Sequence, residues 1–90
     1  LEGILTQSPD RIIMYGCRWC SDTLTAQSVF QKMGIEYQYV DVDSDEKAAA
    51  LVISINHGNR SVPTILFPDG SILVEPRPSV LREKLNAFMP

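Results

Sequence analysis

Cysteine is scarce in this sequence: only Cys17 and Cys20 occur in a chain of 90 residues. Two thiols three positions apart cannot build the disulfide framework of a small secreted domain, and a bridge between them would close a loop too short to add much stability. Positive charge is also short, with 8 Lys and Arg against 11 Asp and Glu and a formal charge of -3. No basic surplus remains for a phosphate backbone, so no nucleic-acid partner is expected. Long apolar runs are missing as well. The longest, Ala48–Ile53, falls far below the ~20 residues of a membrane helix, so no membrane association is expected. The segment Leu1–Asp10 has no basic start, apolar stretch or small-residue cleavage site. It does not read as a signal peptide, and a cytoplasmic location is the expectation.

What is present describes an ordinary folded domain. Hydrophobic residues make up 44% and charged residues 21%, which excludes wholesale disorder. Without repeats, linkers or low-complexity stretches, residues 1–90 read as one domain, expected to be monomeric. Arg11–Tyr15 is a short apolar run with the pattern of a buried strand. Gly16–Ser21 breaks the period, and from Asp22 to Met33 the residues Ala26, Val29, Phe30 and Met33 recur at helical spacing until Gly34 stops them. Ile35–Val42 carries Tyr37, Tyr39, Val40 and Val42 and predicts a second strand.

Asp43-Ser-Asp-Glu46 reads as a helix start, with Asp43 at the cap and an acidic first turn. Ala48, Leu51, Val52 and Ile55 give that helix an apolar face, and Asn56-His57-Gly58 ends it, with His57 read as a partner of the helix's negative end. Thr64–Phe67, the turn Pro68-Asp-Gly70 and Ser71–Val74 predict a hairpin. Ser79 then caps a last helix with Leu81, Leu85 and Phe88 inward. The order β-α-β-α-β-β-α implies parallel first strands, an antiparallel closing hairpin and one four-stranded mixed sheet flanked by three helices on its two faces, an α/β thioredoxin-like architecture.

Cys17-Arg-Trp-Cys20 falls where the first strand ends and the first helix begins. A helix N-terminus offers unpaired N–H groups and the positive end of the macrodipole, both of which stabilise a thiolate, and Arg18 adds a full charge. Cys17 is therefore the expected nucleophile, with Cys20 placed one turn on to attack a mixed disulfide formed there. Two other readings of the pair remain: a zinc site, for which only His57 could join the two thiols where four ligands are needed, and two inert core cysteines. Ser61-Val-Pro-Thr64 precedes the third strand. Pro63 there is either an ordinary trans loop residue or a cis turn at the strand's mouth.

Together Cys17-Arg-Trp-Cys20, Ser61-Val-Pro-Thr64 and the strand order resemble the glutaredoxins of the thioredoxin superfamily. The stretch Asn59–Ser71 is similar to their mycoredoxin branch, which reduces mixed disulfides with mycothiol. The resemblance implies a thiol-disulfide oxidoreductase acting on disulfide-containing proteins, with Cys17 attacking and Cys20 resolving. It also implies a cis Val62–Pro63 bond, with these two residues contacting the substrate backbone. No tightly bound cofactor and no metal are implied. The reductant would be a low-molecular-weight thiol, mycothiol-like or glutathione, or else a dedicated reductase. Glutathione-using members carry a Gly-Gly pair after the last strand, where this chain has Val74-Glu-Pro-Arg-Pro-Ser79; that departure points away from glutathione. Gly16 stands where thioredoxins and many mycoredoxins have Trp.

Three further side chains join the expected thiol site. Arg18 flanks the nucleophile, Trp19 offers a large ring on an exposed turn as a docking surface or else folds back onto the domain, and Arg60 could meet a carboxylate of the small thiol. The alternative function is that of an iron–sulfur cluster carrier of the glutaredoxin type, using the N-terminal cysteine and a small thiol between two subunits.

Overall fold

A computed structural model describes residues 9–88; most of the segment Leu1–Asp10 read above for a leader lies outside the described residues. The elements are β1 (Ile13–Gly16), α1 (Ser21–Met33), β2 (Gln38–Asp41), α2 (Glu46–Ile55), β3 (Thr64–Leu66), β4 (Ile72–Val74) and α3 (Pro78–Phe88). The four strands form one sheet in the order β2-β1-β3-β4. β1 runs parallel to β2 and antiparallel to β3, and β3 and β4 close the antiparallel hairpin. The expected mixed sheet and element order are those observed.

Alternation along β1 divides the interior in two. Ile12 and Met14 face a core built with Ala26, Val29 and Phe30 of α1, Leu81 and Leu85 of α3, and Ile65 and Phe67. Tyr15 faces the other way, against Val42, Val40, Val62 and the α2 residues Ala48 and Val52. Two helices thus cover one face of the sheet and one covers the other. Lys84 of α3 donates to Asp69 in the hairpin turn at 2.7 Å, with its ammonium 5.1 Å from the Phe67 ring centroid. That hydrogen bond, helped by Ser71, holds the Asp69 carboxyl well below the usual carboxylate range.

Several boundaries differ from the sequence reading. Gly34 does end α1, in the left-handed conformation (φ 68°) with its N–H on the Gln31 carbonyl. Ile35 and Tyr37 then pack on the core rather than extending the strand, Tyr37 lying 4.5 Å from the Phe30 ring between centroids. The second strand is therefore only Gln38–Asp41. Asp45, not Asp43, caps α2, accepting from the Ala48 N–H at 3.0 Å; Asp43 is engaged elsewhere. Ser79 is no cap either: Pro78 takes the first helical position, where a missing N–H costs nothing, and the Leu81 N–H donates to the Arg77 carbonyl. At the far end of α2, Asn56 rather than His57 serves the last carbonyls, its amide donating to the Val52 carbonyl at 2.9 Å. Among the described residues no helix is long and apolar enough to cross a membrane.

Candidate active site

Cys20 is the N-cap residue of α1, with extended backbone and no side-chain cap, and Cys17 begins the turn that leads into it. The Cys20 N–H closes that turn onto the Cys17 carbonyl at 3.2 Å. Both thiols are free, Cys17 buried and Cys20 half-buried. Placement at a helix start is as the sequence implied, because the 3.6-residue period can begin only after Gly16–Cys20 has turned the chain out of the sheet.

Thr23, fully buried on the first turn of α1, fixes Cys17 from below: its Oγ1 accepts from the Cys17 N–H at 3.3 Å. This contact explains Gly16. A Cβ there would stand 2.6 Å from Thr23 Cγ2 and 3.0 Å from the Tyr39 ring, so any larger residue would push Thr23 off the cysteine backbone. The glycine in place of a tryptophan is thus demanded by a neighbour seven positions along the chain.

The charges sit differently from the sequence expectation. The Arg18 side chain is 79% exposed and its Nε lies 3.6 Å from Asp41 Oδ2, so its charge is shared with a carboxylate rather than committed to Cys17. Cys17 Sγ instead donates to Asp43 Oδ2 at 3.4 Å. Arg60, expected to be open for a ligand carboxylate, donates to Asp43 Oδ1 at 2.6 Å and to the Val42 carbonyl at 3.1 Å. Asp43 is the site residue that sequence reasoning missed. Its neighbours are 26 and 17 positions away, and an acidic helix start gives no hint of either.

The Val62–Pro63 peptide bond is cis. β1 and β3 pair Tyr15 with Thr64, so Pro63 directly precedes the first paired residue of β3 and Cys17 lies two residues beyond its partner on β1. Thr64, fully buried, secures this turn by donating to the Ser61 carbonyl at 2.7 Å and accepting from the Asn56 amide at 3.1 Å. On the other side the Glu75 N–H donates to the Pro63 carbonyl at 2.8 Å. Glu75 itself has φ 47°, in the left-handed region that favours glycine. Trp19 is 77% exposed, and Leu24 on the first turn of α1 is exposed as well. Of the two readings for Trp19, the open ring is the one observed. No cluster of three or more potential metal ligands exists among the described residues.

The Cys20 thiol is pushed up to about 11, chiefly by its hydrogen bond with Cys17, then by burial and by the charges of Cys17, Asp43 and Asp22. Only a thiolate is alkylated. Labelling of Cys20 should therefore accelerate with pH until about 11. In Cys17→Ala, which removes the largest cause, the midpoint should fall back toward the ordinary value of 9.0. Mass-resolved iodoacetamide labelling across a pH series measures both. Tyr39 is pushed up to about 12, first by burial and then by Asp41, and its hydroxyl has no hydrogen-bond partner.

The glutaredoxin family model matches residues 12–72, the span from β1 through the cysteine pair to β4. A glutaredoxin relative from Mycobacterium tuberculosis is 36% identical over 74 residues, covering 82% of this chain and 88% of its own. Mycoredoxin 1 of Corynebacterium glutamicum is 35% identical over 78 residues, covering 86% of this chain and 95% of its own. Among solved structures, the holo form of poplar glutaredoxin C1 (Populus tremula x tremuloides) superposes with a TM-score of 0.68 at 16% identity, over 97% of this chain and 85% of that one. The glutaredoxin of Methanosarcina mazei Go1 gives 0.67 at 26% identity, over 83% and 77%.

Proposed function

This chain belongs to the glutaredoxin family, and from that premise we propose that it is a single-domain, monomeric, cytoplasmic thiol-disulfide oxidoreductase that reduces protein disulfides or mixed disulfides. Cys17 attacks one sulfur of the substrate disulfide and the other leaves as a thiolate. Cys20 then attacks the mixed disulfide, forming the Cys17–Cys20 bridge and releasing the reduced product. Val62 and Pro63 receive the substrate's backbone, while Arg18 and Trp19 border the entrance. The observation that carries this reading is the pair of free thiols at the start of α1, just beyond the end of β1, whose Tyr15 pairs with Thr64, the residue after the cis Val62–Pro63 bond.

The reductant that restores the dithiol is a small thiol, mycothiol-like rather than glutathione, or a reductase. Glu75 supports this choice. It stands in a conformation that favours glycine, hydrogen-bonded to Pro63, where glutathione-using members carry glycine. A γ-glutamyl carboxylate arriving there would meet a like charge. In a coupled assay on one mixed-disulfide substrate at equal thiol concentrations, turnover with glutathione should be several-fold slower than with mycothiol. A parallel arm with thioredoxin reductase covers the enzymatic route. Glutathione as the fastest of the three would remove Glu75 as a determinant of specificity, and no turnover in any arm would remove the oxidoreductase reading.

A further inference from the structure

Asp43 joins three parts of the fold at the Cys17 thiol. Its backbone N–H donates to Asp41 Oδ1 at 3.1 Å, which fixes the loop between β2 and α2. One carboxylate oxygen accepts from Cys17 Sγ at 3.4 Å, and the other accepts from Arg60 Nη2 at 2.6 Å. The same guanidinium nitrogen is anchored on the Val42 carbonyl. A single carboxylate therefore links the thiol to the guanidinium, although neither Asp43 nor Arg60 lies in the Cys17–Cys20 segment.

Resting on the reading of Cys17 as the nucleophile, we propose that Asp43 is a positioning residue that holds the Cys17 thiol in the reduced protein, and that Arg60 sets how firmly it does so. A carboxylate that accepts a hydrogen bond from a thiol favours S–H, and it repels the sulfur once the proton has gone. A guanidinium on the far oxygen of the same carboxylate offsets both effects by withdrawing its charge. Asp43 is thus the restraint and Arg60 the release. When Cys17 reacts with a disulfide RS–SR′, its proton passes to water, the Cys17–SR bond forms as RS–SR′ breaks, and R′S⁻ leaves and takes up a proton. Asp43 is unchanged throughout.

The other charges around Cys17 are fixed elements of the site. Tyr39 approaches from β2, with Asp41 near it and paired with Arg18 of the cysteine turn. The Cys20 side chain, which hydrogen-bonds with Cys17 and has the charge of Asp22 near it, approaches from the start of α1 and is serine in every protein compared below. None of these differs between the variants compared below.

The test is the rate of iodoacetamide labelling of Cys17 in the full chain carrying Cys20→Ser, at pH 7 and across a series up to pH 11. Asp43→Asn should label about tenfold faster than the parent at pH 7, since it removes a hydrogen bond to a charged group together with the repulsion. Arg60→Met should label about three- to fivefold slower, the size expected of a half-exposed charge. All three proteins should converge at the alkaline end of the series. Opposite signs are the signature, because a merely structural role would move both variants the same way at every pH. Should Asp43→Asn fold poorly, Asp43→Ser carries the same expectation. Asp43 variants that are not faster, or an Arg60→Met that is not slower, would overturn the proposal. The labelling needs no disulfide substrate, so a protein inactive in the coupled assay would defeat the oxidoreductase reading and leave this comparison intact.

Discussion

Replacing Cys17 with serine is expected to lower kcat/KM for disulfide reduction by at least about a thousandfold, because a neutral hydroxyl cannot replace a thiolate as the attacking atom. The fold should survive, since serine is nearly isosteric with cysteine and its backbone N–H keeps the hydrogen bond to Thr23 Oγ1. Cys20→Ser should behave differently. With Cys17 intact the first attack proceeds, and a small thiol can still resolve a mixed disulfide from solution. When no small thiol is added, however, a protein substrate stays covalently attached to Cys17. Non-reducing gels and intact mass should therefore show a trapped adduct in Cys20→Ser and none in Cys17→Ser. Equal loss of activity in the two variants, with no adduct in either, would contradict the assigned roles.

The largest expected effect on stability comes from Phe30→Ala, at about 3–5 kcal/mol for emptying a large aromatic site. Phe30 is fully buried on α1 and its ring packs at 4.5 Å between centroids on Tyr37. Around it lie Met14 and Ile65 of the sheet and Leu81 and Leu85 of α3, so the cavity would open where both helices of that face meet the strands. A domain of this size has only ~5–15 kcal/mol to lose, and each kcal/mol is worth roughly 4–8 °C in Tm. A fall of well over 10 °C is expected in a calorimetric or circular-dichroism melt. A change of only a few degrees would mean that the site collapses around the missing ring. Since α1 also presents Cys20 and Thr23, the same variant should lose disulfide reduction at temperatures where the parent is still active.

Much of this protein was legible before any coordinates. Local pattern sufficed wherever one short segment carried the whole physical reason. The helical period of Ala26, Val29 and Phe30 and the Gly34 stop marked α1, and the order of apolar runs implied the mixed sheet. The Cys17–Cys20 spacing at a strand-to-helix junction and the proline at the mouth of β3 marked the site, and both features stand where they were expected.

Ends of elements were harder, for a definite reason. Asp43 and Asp45 are equally good caps by residue type; in the fold Asp45 accepts from the Ala48 N–H while Asp43 is engaged by Cys17 and by Arg60, 17 residues away. Ser79 is a better cap by type than Arg77, yet Pro78 fits the first helical position and shifts the start of α3.

What the sequence by itself determined is the arrangement of elements and the identity of the thiol pair, because hydrophobic period, helix stops and a two-residue gap between cysteines are local properties. What only the tertiary structure decided is the electrostatic setting of those thiols. Arg18 lies next to Cys17 in the chain but shares its charge with Asp41, while Asp43, remote in the chain, accepts the Cys17 hydrogen bond with Arg60 behind it. Charges act through space over a few ångströms, and β2, the β2–α2 loop and the approach to β3 come within that distance only after the sheet has formed.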